Sequence, residues 1–322
     1  MEFSIIDISE LNENLWHSFY SYYVNSLLHE SDHILKESVF IERYKSTIDN
    51  TSINYEVIFE SDVALGVIEK QYLNIGTLEE IIAIDITIPN FELFYNLEKH
   101  LYTYFIKLIN LGFNIRIESK ENKLIDLLKS LNSENTNQLI YYKLPFKNLK
   151  MSLLDSFLHK NVTQYSVYST DSPTKDDLIL SAELSTLLLN EMKRENDQQV
   201  FKETAENLIN YVINCKRYKK GLFYIFIKDN GSLIGQTSIE ISENGIEGNQ
   251  MLTGVKKEYR RQGLSSLIKA KLYKGLRSKY PNLETIYTDC FAKNLPMIAA
   301  NKKFGFKQDF IVSEMFHKNI NK

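Results

Sequence analysis

Hydrophobic residues in the second half of the chain recur first at helical spacing and then at strand spacing. Thr174 and Asp177 form a helix-capping pattern ahead of one apolar helical stretch, and a second helix is predicted over residues 200–216. Two apolar runs flank Asn230 and Gly231, a dipeptide that strongly favours the turn of a β-hairpin. This half therefore opens with helices and continues as antiparallel strands.

The pattern after the hairpin alternates between strand and helix. A third strand ends at Val255, and a basic turn then precedes a helix with one apolar face, formed by Leu264, Leu267, Ile268, Leu272 and Leu276. The segment TIYTDCF is typical of a strand, and Asn294 is expected to cap a last helix that ends at Gly305 before a final strand. The predicted order in this half is β-α-α-β-β-β-α-β-α-β.

The first half of the chain is predicted in nearly the same order. Its elements are strand 3–8, helices 15–29 and 40–48, strands 54–60, 64–71 and 81–88, helix 91–110, strand 113–118, helix 122–131 and strand 138–144. We interpret the shared order as a structural tandem repeat of two domains, residues 1–148 and 149–322. The predicted fold class is α/β (α+β), with two similar domains in tandem, each a mixed, mostly antiparallel sheet flanked by helices.

The composition is that of an ordinary globular protein. Hydrophobic residues make up 43% and charged residues 25% of the chain, and the net charge is −3, which excludes a disordered chain and a strongly basic nucleic-acid binder. The two cysteines, Cys215 and Cys290, cannot form a disulfide framework, and no stretch reaches the ~20 apolar residues of a membrane span. The N-terminal segment has no signal-peptide pattern. We expect a cytoplasmic protein without a membrane partner.

Glycine and positive charge both concentrate in the last third of the chain. Nine of the twelve glycines lie between Gly221 and Gly305, and residues 256–279 contain nine Lys and Arg against one acidic residue. A helix that begins near Gly263 leaves the N–H groups of residues 261–265 without helical acceptors, at the positive end of the helix dipole. Such a terminus suits a phosphate or pyrophosphate group.

Two motifs in this region resemble the GNAT superfamily of N-acyltransferases. The first is R-x-x-G-x-G/A after a strand that ends in Val, and the second is N-x-x-M-x-x-x-N-x-x-x-G-F after the next strand. They are formed here by Arg260, Gly263 and Ser265, and by Asn294, Met297, Asn301, Gly305 and Phe306. The resemblance is specific over residues 250–310 and topological over 163–317. In element order the whole chain is similar to the tandem two-domain members, of the mycothiol synthase type.

This resemblance implies a binding site for acetyl-CoA as a co-substrate, with no metal. The backbone N–H groups of the basic loop, together with two arginine side chains, would hold the pyrophosphate; these residues are Arg260, Arg261, Gln262, Gly263, Leu264 and Ser265. Val255 would pair its backbone with the pantetheine arm and direct an N–H at the thioester carbonyl. Asn294 and Asn301 would contact the pantetheine arm from the last helix.

The implied activity is N-acetyl transfer to a primary amine by direct attack in a ternary complex, carried out by residues 149–322. The first domain has Pro89, Asn90 and Phe91 where the loop would be, so residues 1–148 are expected to form a degenerate GNAT-like domain without a pyrophosphate loop. The acceptor is expected to be a small-molecule or peptide amine in a cleft around residues 195–199. The sequence indicates no oligomeric state.

Two departures from the family pattern bear on the chemistry. Asn301 stands where many members place a tyrosine proposed as the general acid, and Ser265 replaces a Gly or Ala. Glu240 and Glu247 are the candidate general bases for the acceptor amine, acting directly or through water. The alternative from another class is a non-catalytic acyl-CoA-binding or regulatory protein.

Other chemistry is disfavoured. Cys290 is interpreted as a small buried hydrophobe rather than a nucleophile, because no histidine lies near it in sequence. His29 and His33 could pair on a metal, but no third ligand is evident and a solvated helix face is favoured. The basic stretch could also be an RNA or DNA contact helix, which we rank third because the net charge is negative.

Overall fold

The computed structural model of the protein describes residues 3–27, 36–45, 53–74, 80–87, 91–111, 114–119, 122–158, 164–192 and 202–317. The chain divides into two compact units, one of residues 1–138 with 312–322 and one of residues 139–311. Each unit is a mixed, mostly antiparallel sheet with helices on both faces, as the sequence predicts.

The first unit follows the predicted order of elements. These are β1 (Phe3–Asp7), α1 (Glu13–Leu27), α2 (Glu37–Lys45), β2 (Ile53–Glu60), β3 (Val63–Asn74), β4 (Glu80–Thr87), α3 (Phe91–Asn110), β5 (Asn114–Ser119), α4 (Asn122–Ser130) and the start of β6 (Glu134–Pro145). Strands β1 to β4 pair antiparallel in chain order, and β4 pairs parallel with β5.

The second unit repeats this order with one added helix. Its elements are the end of β6, α5 (Met151–Leu158), β7 (Ser166–Thr170), α6 (Lys175–Asn190), α7 (Ala205–Arg217), β8 (Gly221–Asp229), β9 (Ser232–Ile241), β10 (Glu247–Gln250), β11 (Gly254–Val255), α8 (Leu264–Lys279), β12 (Thr285–Phe291), α9 (Leu295–Lys303) and the start of β13 (Lys307–His317). Strands β7 to β10 pair antiparallel in chain order, and β10 pairs parallel with β12.

The predicted division at residue 148 differs from the one observed, because each unit takes a strand segment from the other half of the chain. Residues 139–145 of β6 pair antiparallel with β12 in the second unit. Residues 313–317 of β13 pair antiparallel with β5 in the first unit. The alternation of side chains along a strand shows that it is a strand but not which sheet it joins, so periodicity does not locate this exchange.

Alternate residues of the central strands are buried on opposite faces of each sheet. In β8, one face contributes Leu222, Tyr224 and Phe226 to the cluster under α6 and α7. The other face contributes Phe223, Ile225 and Ile227 to the cluster under α8. Successive side chains of a strand point to opposite faces, so a continuous apolar run serves a sheet that is covered on both sides. In the first unit, β2 divides its apolar residues in the same way.

Local predictions for the second unit are confirmed at its helix start and hairpin. Thr174 Oγ1 accepts the Asp177 N–H at 3.1 Å, and the Asp177 carboxylate accepts the Thr174 N–H at 3.2 Å, which completes a capping box. Asn230 and Gly231 have φ values of 47° and 83°, as the two-residue turn requires. Helix α5 has no counterpart in the prediction, and the predicted third strand is interrupted between β10 and β11.

His29, His33, Pro89, Asn90 and the predicted acceptor segment 195–199 lie outside the described residues. Within the described ranges, no helix combines the length and the apolar character needed to cross a bilayer.

Replacing Thr174 with Ala should lower the free energy of unfolding by about 1 kcal/mol, because the first turn of α6 loses its cap. Urea denaturation of the full chain measures the change. Thr174→Ser keeps the hydroxyl and is the matched control, with an expected loss of a few tenths of a kcal/mol. If both variants lost the same free energy of unfolding, the loss would come from the Thr174 methyl group and not from the cap.

Candidate functional site

A gap opens in the second sheet where the chain leaves β12. Over Glu247–Asn249, β10 runs parallel to β12, opposite Thr285–Tyr287. Beyond this, β11 pairs with β9, with Val255 opposite Gly235, and in the described part of the chain it shares no register with β12. One edge of β11 therefore faces the gap.

The backbone of Val255 is directed to that edge. The next residue, Lys256, donates its N–H to the Ile234 carbonyl of β9 at 2.9 Å. Because alternate residues of an antiparallel strand turn their N–H and C=O groups to opposite sides, the Val255 groups point away from β9. This is the direction that the predicted donor to a thioester carbonyl requires.

Arg260 supports this strand from within the domain. Its Nε donates to the Val255 carbonyl oxygen at 3.0 Å, and its guanidinium also pairs with Glu191 at the end of α6. The guanidinium was predicted to contact phosphate, but it is engaged by protein groups. In this structure Arg260 holds β11 and the loop in place, because its side chain reaches back to the strand that precedes it, and its contact with phosphate stays a prediction.

The loop before α8 has the backbone geometry of an anion site. Arg261 and Gly263 have φ values of 64° and 81°, and Gly263 is the N-cap of the helix. No side chain caps α8, so its first N–H groups, from Leu264 and Ser265 onward, lack a capping acceptor. They lie at the positive end of a 16-residue helix that has no acidic residue in its first turn.

The side chains of Leu264 and Gln262, also in this loop, are held by contacts within the domain. Leu264 is 2% exposed and anchors the start of the helix in the core. The Gln262 side-chain oxygen accepts a hydrogen bond from the Tyr165 hydroxyl at 2.9 Å. Tyr165 also packs edge-on against Tyr259, whose hydroxyl donates to Asp229 at 2.8 Å. The loop is therefore fixed by side-chain contacts that do not use its backbone N–H groups.

Most of the predicted basic cluster is used inside the domain. Six of the nine side chains bond to protein groups: Arg260, Lys269, Lys271, Lys274, Arg277 and Lys279. The other three are Lys256, Lys257 and Arg261, for which the described residues provide no hydrogen-bond or ion-pair partner. The positive charge without a protein partner among the described residues therefore surrounds the loop and does not extend along the helix.

A buried polar network occupies the point where the two strands part. Gln250, 3% exposed, is the last residue of β10, and its side-chain nitrogen donates to Thr237 at 3.1 Å and to Thr253 at 2.9 Å. Its side-chain oxygen accepts from Tyr273 at 2.5 Å and from Lys269 at 3.3 Å. Its carbonyl accepts from Thr288 of β12 at 3.2 Å.

The two predicted asparagines of the last helix differ in their surroundings. Asn294 is the N-cap of α9, as predicted, and its side chain accepts the Met297 N–H at 3.3 Å. Asn301 is fully buried, and its Oδ1 accepts from Lys269 at 2.9 Å. Asn301 therefore joins the network under the gap, whereas Asn294 sits at the helix start.

Sequence reasoning missed Gln250 and Lys269. Lys269 was counted with the basic residues of the helix surface, yet it is 1% exposed. A usable signal was present, since it precedes Leu272 by three residues and Leu276 by seven, which places it on the apolar face of α8. For Gln250, no pattern in the sequence indicated burial.

Glu240 is built into the domain core rather than into the gap. Its carboxylate accepts from Lys220 at 2.6 Å and from Tyr211 at 2.5 Å, and Cys215 lies 3.5 Å away. Burial raises the pKa of Glu240, but the hydrogen bonds from Lys220 and Tyr211 outweigh it and bring the pKa below its ordinary value. A carboxylate so occupied is a poor base, so the candidate role of Glu240 is corrected to a structural one.

Glu247 and Cys290 lie on β10 and β12, the two strands beside the gap. Glu247 begins β10, is half-buried, and accepts a hydrogen bond from the Tyr287 hydroxyl of β12 at 3.2 Å. Cys290 is 7% exposed near the end of β12. Burial and Asp289 raise the pKa of its thiol to about 11, against the smaller opposing effect of Lys269. The thiol therefore stays protonated, in agreement with its interpretation as a buried hydrophobe.

Residues 186–306 match the model of the Acetyltransferase (GNAT) family. This matched segment lies within the second unit, which we call the GNAT domain after the family that it resembles. The match spans the strand gap, the loop before α8 and the asparagines of α9, and the two sequence motifs lie in this loop and this helix. The family match supports acyl transfer as the general activity class of this domain. No curated protein matches the chain.

The tandem arrangement is supported by solved structures. A tandem GNAT protein from the clavulanic acid biosynthesis pathway aligns over 100% of both chains, with a TM-score of 0.72 and 11% identity. A GCN5-related N-acetyltransferase from Sphaerobacter thermophilus aligns over 98% of this chain and 96% of its own, with a TM-score of 0.63 and 7% identity. At these identities the likeness establishes the fold, a GNAT domain preceded by a second GNAT-like unit.

A third structure is similar over part of its own length. A glucosamine N-acetyltransferase region in a fungal multi-domain GH3 β-N-acetylglucosaminidase aligns with 98% of this chain and 38% of that one, with a TM-score of 0.65 and 9% identity. It likewise shares the fold of the GNAT domain and of the unit before it.

Replacing Glu240 with Gln should lower the free energy of unfolding at about pH 7 by about 1–3 kcal/mol, because buried donors lose a charged acceptor. The depressed pKa makes this contribution present above the unfolded-state pKa and lost as the pH falls through the folded-state pKa. Urea denaturation at about pH 7 and about pH 4 should therefore show the variant and the wild type converging in acid.

Glu243→Gln is the control for charge alone. Glu243 is more exposed and lies 3.7 Å from Lys219. A loss for Glu240→Gln no larger than for this control would contradict the structural role of Glu240.

Proposed function

We propose that the GNAT domain transfers an acetyl group from acetyl-CoA to a primary amine by direct attack in a ternary complex. The observation that carries this proposal is the link between an uncapped, positively charged helix terminus and the open edge of β11. The two are joined directly by the Arg260 hydrogen bond to Val255. Phosphates fit the loop, and an extended pantetheine arm fits the strand edge, so the residues present suit this co-substrate.

Each part of the site has a definite task in this proposal. The N–H groups from Gln262 to Ser265 bind the pyrophosphate, with Arg261 beside them. The Val255 N–H donates to the thioester carbonyl oxygen, where negative charge develops as the amine attacks. The leaving thiol has a pKa near ~8.5, so the thiolate departs with little help from an acid. Replacement of the usual tyrosine by Asn301 is therefore compatible with turnover.

Deprotonation of the acceptor amine is more demanding than protonation of the leaving thiolate. With a pKa of about 10, it must be deprotonated before it attacks. Since Glu240 is occupied, we assign the base to Glu247, acting directly or through water. Its position at the start of β10 places it on the strand that leads into the gap.

We propose a small-molecule or peptide amine as the acceptor and the cytoplasm as the location. Both cysteines are free thiols, which is compatible with a reducing compartment. Nucleic acid remains disfavoured, because the side chains of α8 that would contact it bond within the domain. The first unit is proposed to serve as a scaffold without acyl-CoA binding.

The second candidate function is a non-catalytic acyl-CoA sensor. Two observations favour it: Asn301 in the place of a general acid, and the occupied carboxylate of Glu240. A sensor binds acetyl-CoA but releases no thiol in the presence of any amine. Thiol release with a panel of polyamines, aminoglycosides, amino acids and peptides therefore separates the two functions, and turnover with one amine excludes the sensor.

Acetyl-CoA and free CoA should both stabilise the protein against thermal unfolding, whereas ATP, the phosphate control, should not. At 100 times its Kd a ligand adds about 2.7 kcal/mol, which is roughly 5 to 10 °C for a domain of this size. No shift with either CoA species would refute CoA binding and the proposed function with it.

Replacing Arg261 with Glu should weaken acetyl-CoA binding at least tenfold, since a like charge would face the pyrophosphate. Isothermal titration measures the affinity. Lys175→Glu makes the same charge change at an exposed position of α6, on the other face of the sheet, and should bind as the wild type does. Equal affinities for Arg261→Glu and this control would show that the phosphates bind elsewhere.

A further inference from the structure

The amine of Lys269 is enclosed at the centre of the GNAT domain. Its Nζ lies 2.9 Å from Asn301 Oδ1, 3.3 Å from Gln250 Oε1 and 5.4 Å from the centre of the Phe306 ring. In α3, which has the matching place in the first unit, the described buried side chains are all hydrophobic: Leu97, Leu101, Phe105 and Leu108. Burial of an amine is unfavourable, so packing alone does not explain the lysine.

The lysine determines how the Asn301 amide is oriented. A charged ammonium group can only donate, so the end of the amide that faces Lys269 must be the oxygen. The other end, Nδ2, is buried and has no hydrogen-bond partner among the described residues. An unpaired buried donor is unfavourable, so an acceptor supplied by a ligand would stabilise this N–H.

The network places this donor beside the strand gap. Lys269 links Asn301 to Gln250, and Gln250 is the residue at which β10 parts from β12. Thr288 of β12 still reaches the Gln250 carbonyl, so the network marks the closed end of the gap. A ligand that lies along β11 brings its own amide and thioester carbonyls toward this end.

Resting on the proposed function, we propose that Lys269 is a positioning residue. By donating to Oδ1 it holds the Asn301 amide so that Nδ2 is presented to a carbonyl of the acyl-pantetheine arm. Lys269 itself does not touch the ligand. It acts through Asn301, and the pair takes the place of the tyrosine that family members use near the thioester.

The titratable groups around Lys269 make this role pH-dependent. Cys290 faces it from β12 and Tyr273 lies on its own helix, while Gln250 and Asn301 are uncharged. Burial lowers the pKa of Lys269 to about 7, against a smaller opposing effect of Cys290. The pKa of Cys290 is about 11 and burial raises that of Tyr273, so both keep their protons where Lys269 titrates.

The direction of the pH effect follows from hydrogen bonding. Neutral Lys269 has a lone pair that can accept from Nδ2, so the amide can turn and the donor to the ligand is lost. The ligand therefore favours the charged lysine and raises its pKa. Affinity gained in this way is present below the pKa of the free protein and is lost as the pH rises through that of the complex.

Isothermal titration of the full chain with acetyl-CoA from about pH 6 to about pH 8 tests the proposal. Both affinities are compared between about pH 6 and about pH 8. The loss of affinity over this range should be about fivefold larger for the wild type than for Lys269→Met. At about pH 6 the variant should bind about tenfold more weakly than the wild type. Lys271→Met is the matched control, because Lys271 is a half-buried lysine of the same helix that bonds to the Val167 carbonyl. It should follow the wild type at every pH.

Asn301→Ala keeps the proposal testable if Lys269→Met does not fold. This variant should lose the same part of the pH dependence, and in its background Lys269→Met should cause no further loss of affinity. Additive losses, or an unchanged pH profile in either variant, would overturn the positioning role. Failure of the wild type to bind acetyl-CoA would instead refute the proposed function. If the wild type binds acetyl-CoA and the variants behave as it does, the role of Lys269 is refuted but the proposed function is not.

Discussion

Burial of the Gln250 side chain is the constraint around which the site is organised. An amide in the core must find partners for both its ends. Here they come from β9, from the loop between β10 and β11, and from α8. Those bonds hold in place the elements that meet where the sheet stops pairing. The gap in the second sheet is therefore a bounded feature with a polar closed end, and not a frayed edge.

The uncapped start of α8 could be predicted from the sequence, but the contacts of several side chains could not. The turn RRQG ahead of an apolar helix face indicated the uncapped terminus, and the structure has that terminus with Gly263 at its start. Arg260 has the spacing of a phosphate ligand, yet it is bonded to Val255 and Glu191. Arg260 and Glu191 are nearly seventy residues apart along the chain, so the spacing of a local motif cannot indicate that they pair.

The fold shows the same division between local and long-range information. Capping at Thr174 and the turn at Asn230 depend on neighbouring residues, and both follow from the sequence. Helix α5 is short and begins without an acidic residue in its first turn or a strong breaker before it, so its pattern is weak. The assignment of β6 and β13 depends on backbone pairing between residues that are far apart along the chain.

That exchange of strand segments affects how the protein is made. Residues 313–317, which pair with β5, are synthesised after the whole of residues 139–311, so the first unit cannot complete its sheet when residues 1–138 leave the ribosome. The second unit needs residues 139–145, which are made before most of its own chain. Long-range pairing of this kind slows folding. The first unit is therefore not one continuous stretch of chain, and the edge of β5 that pairs with β13 stays unpaired until residues 313–317 have been made.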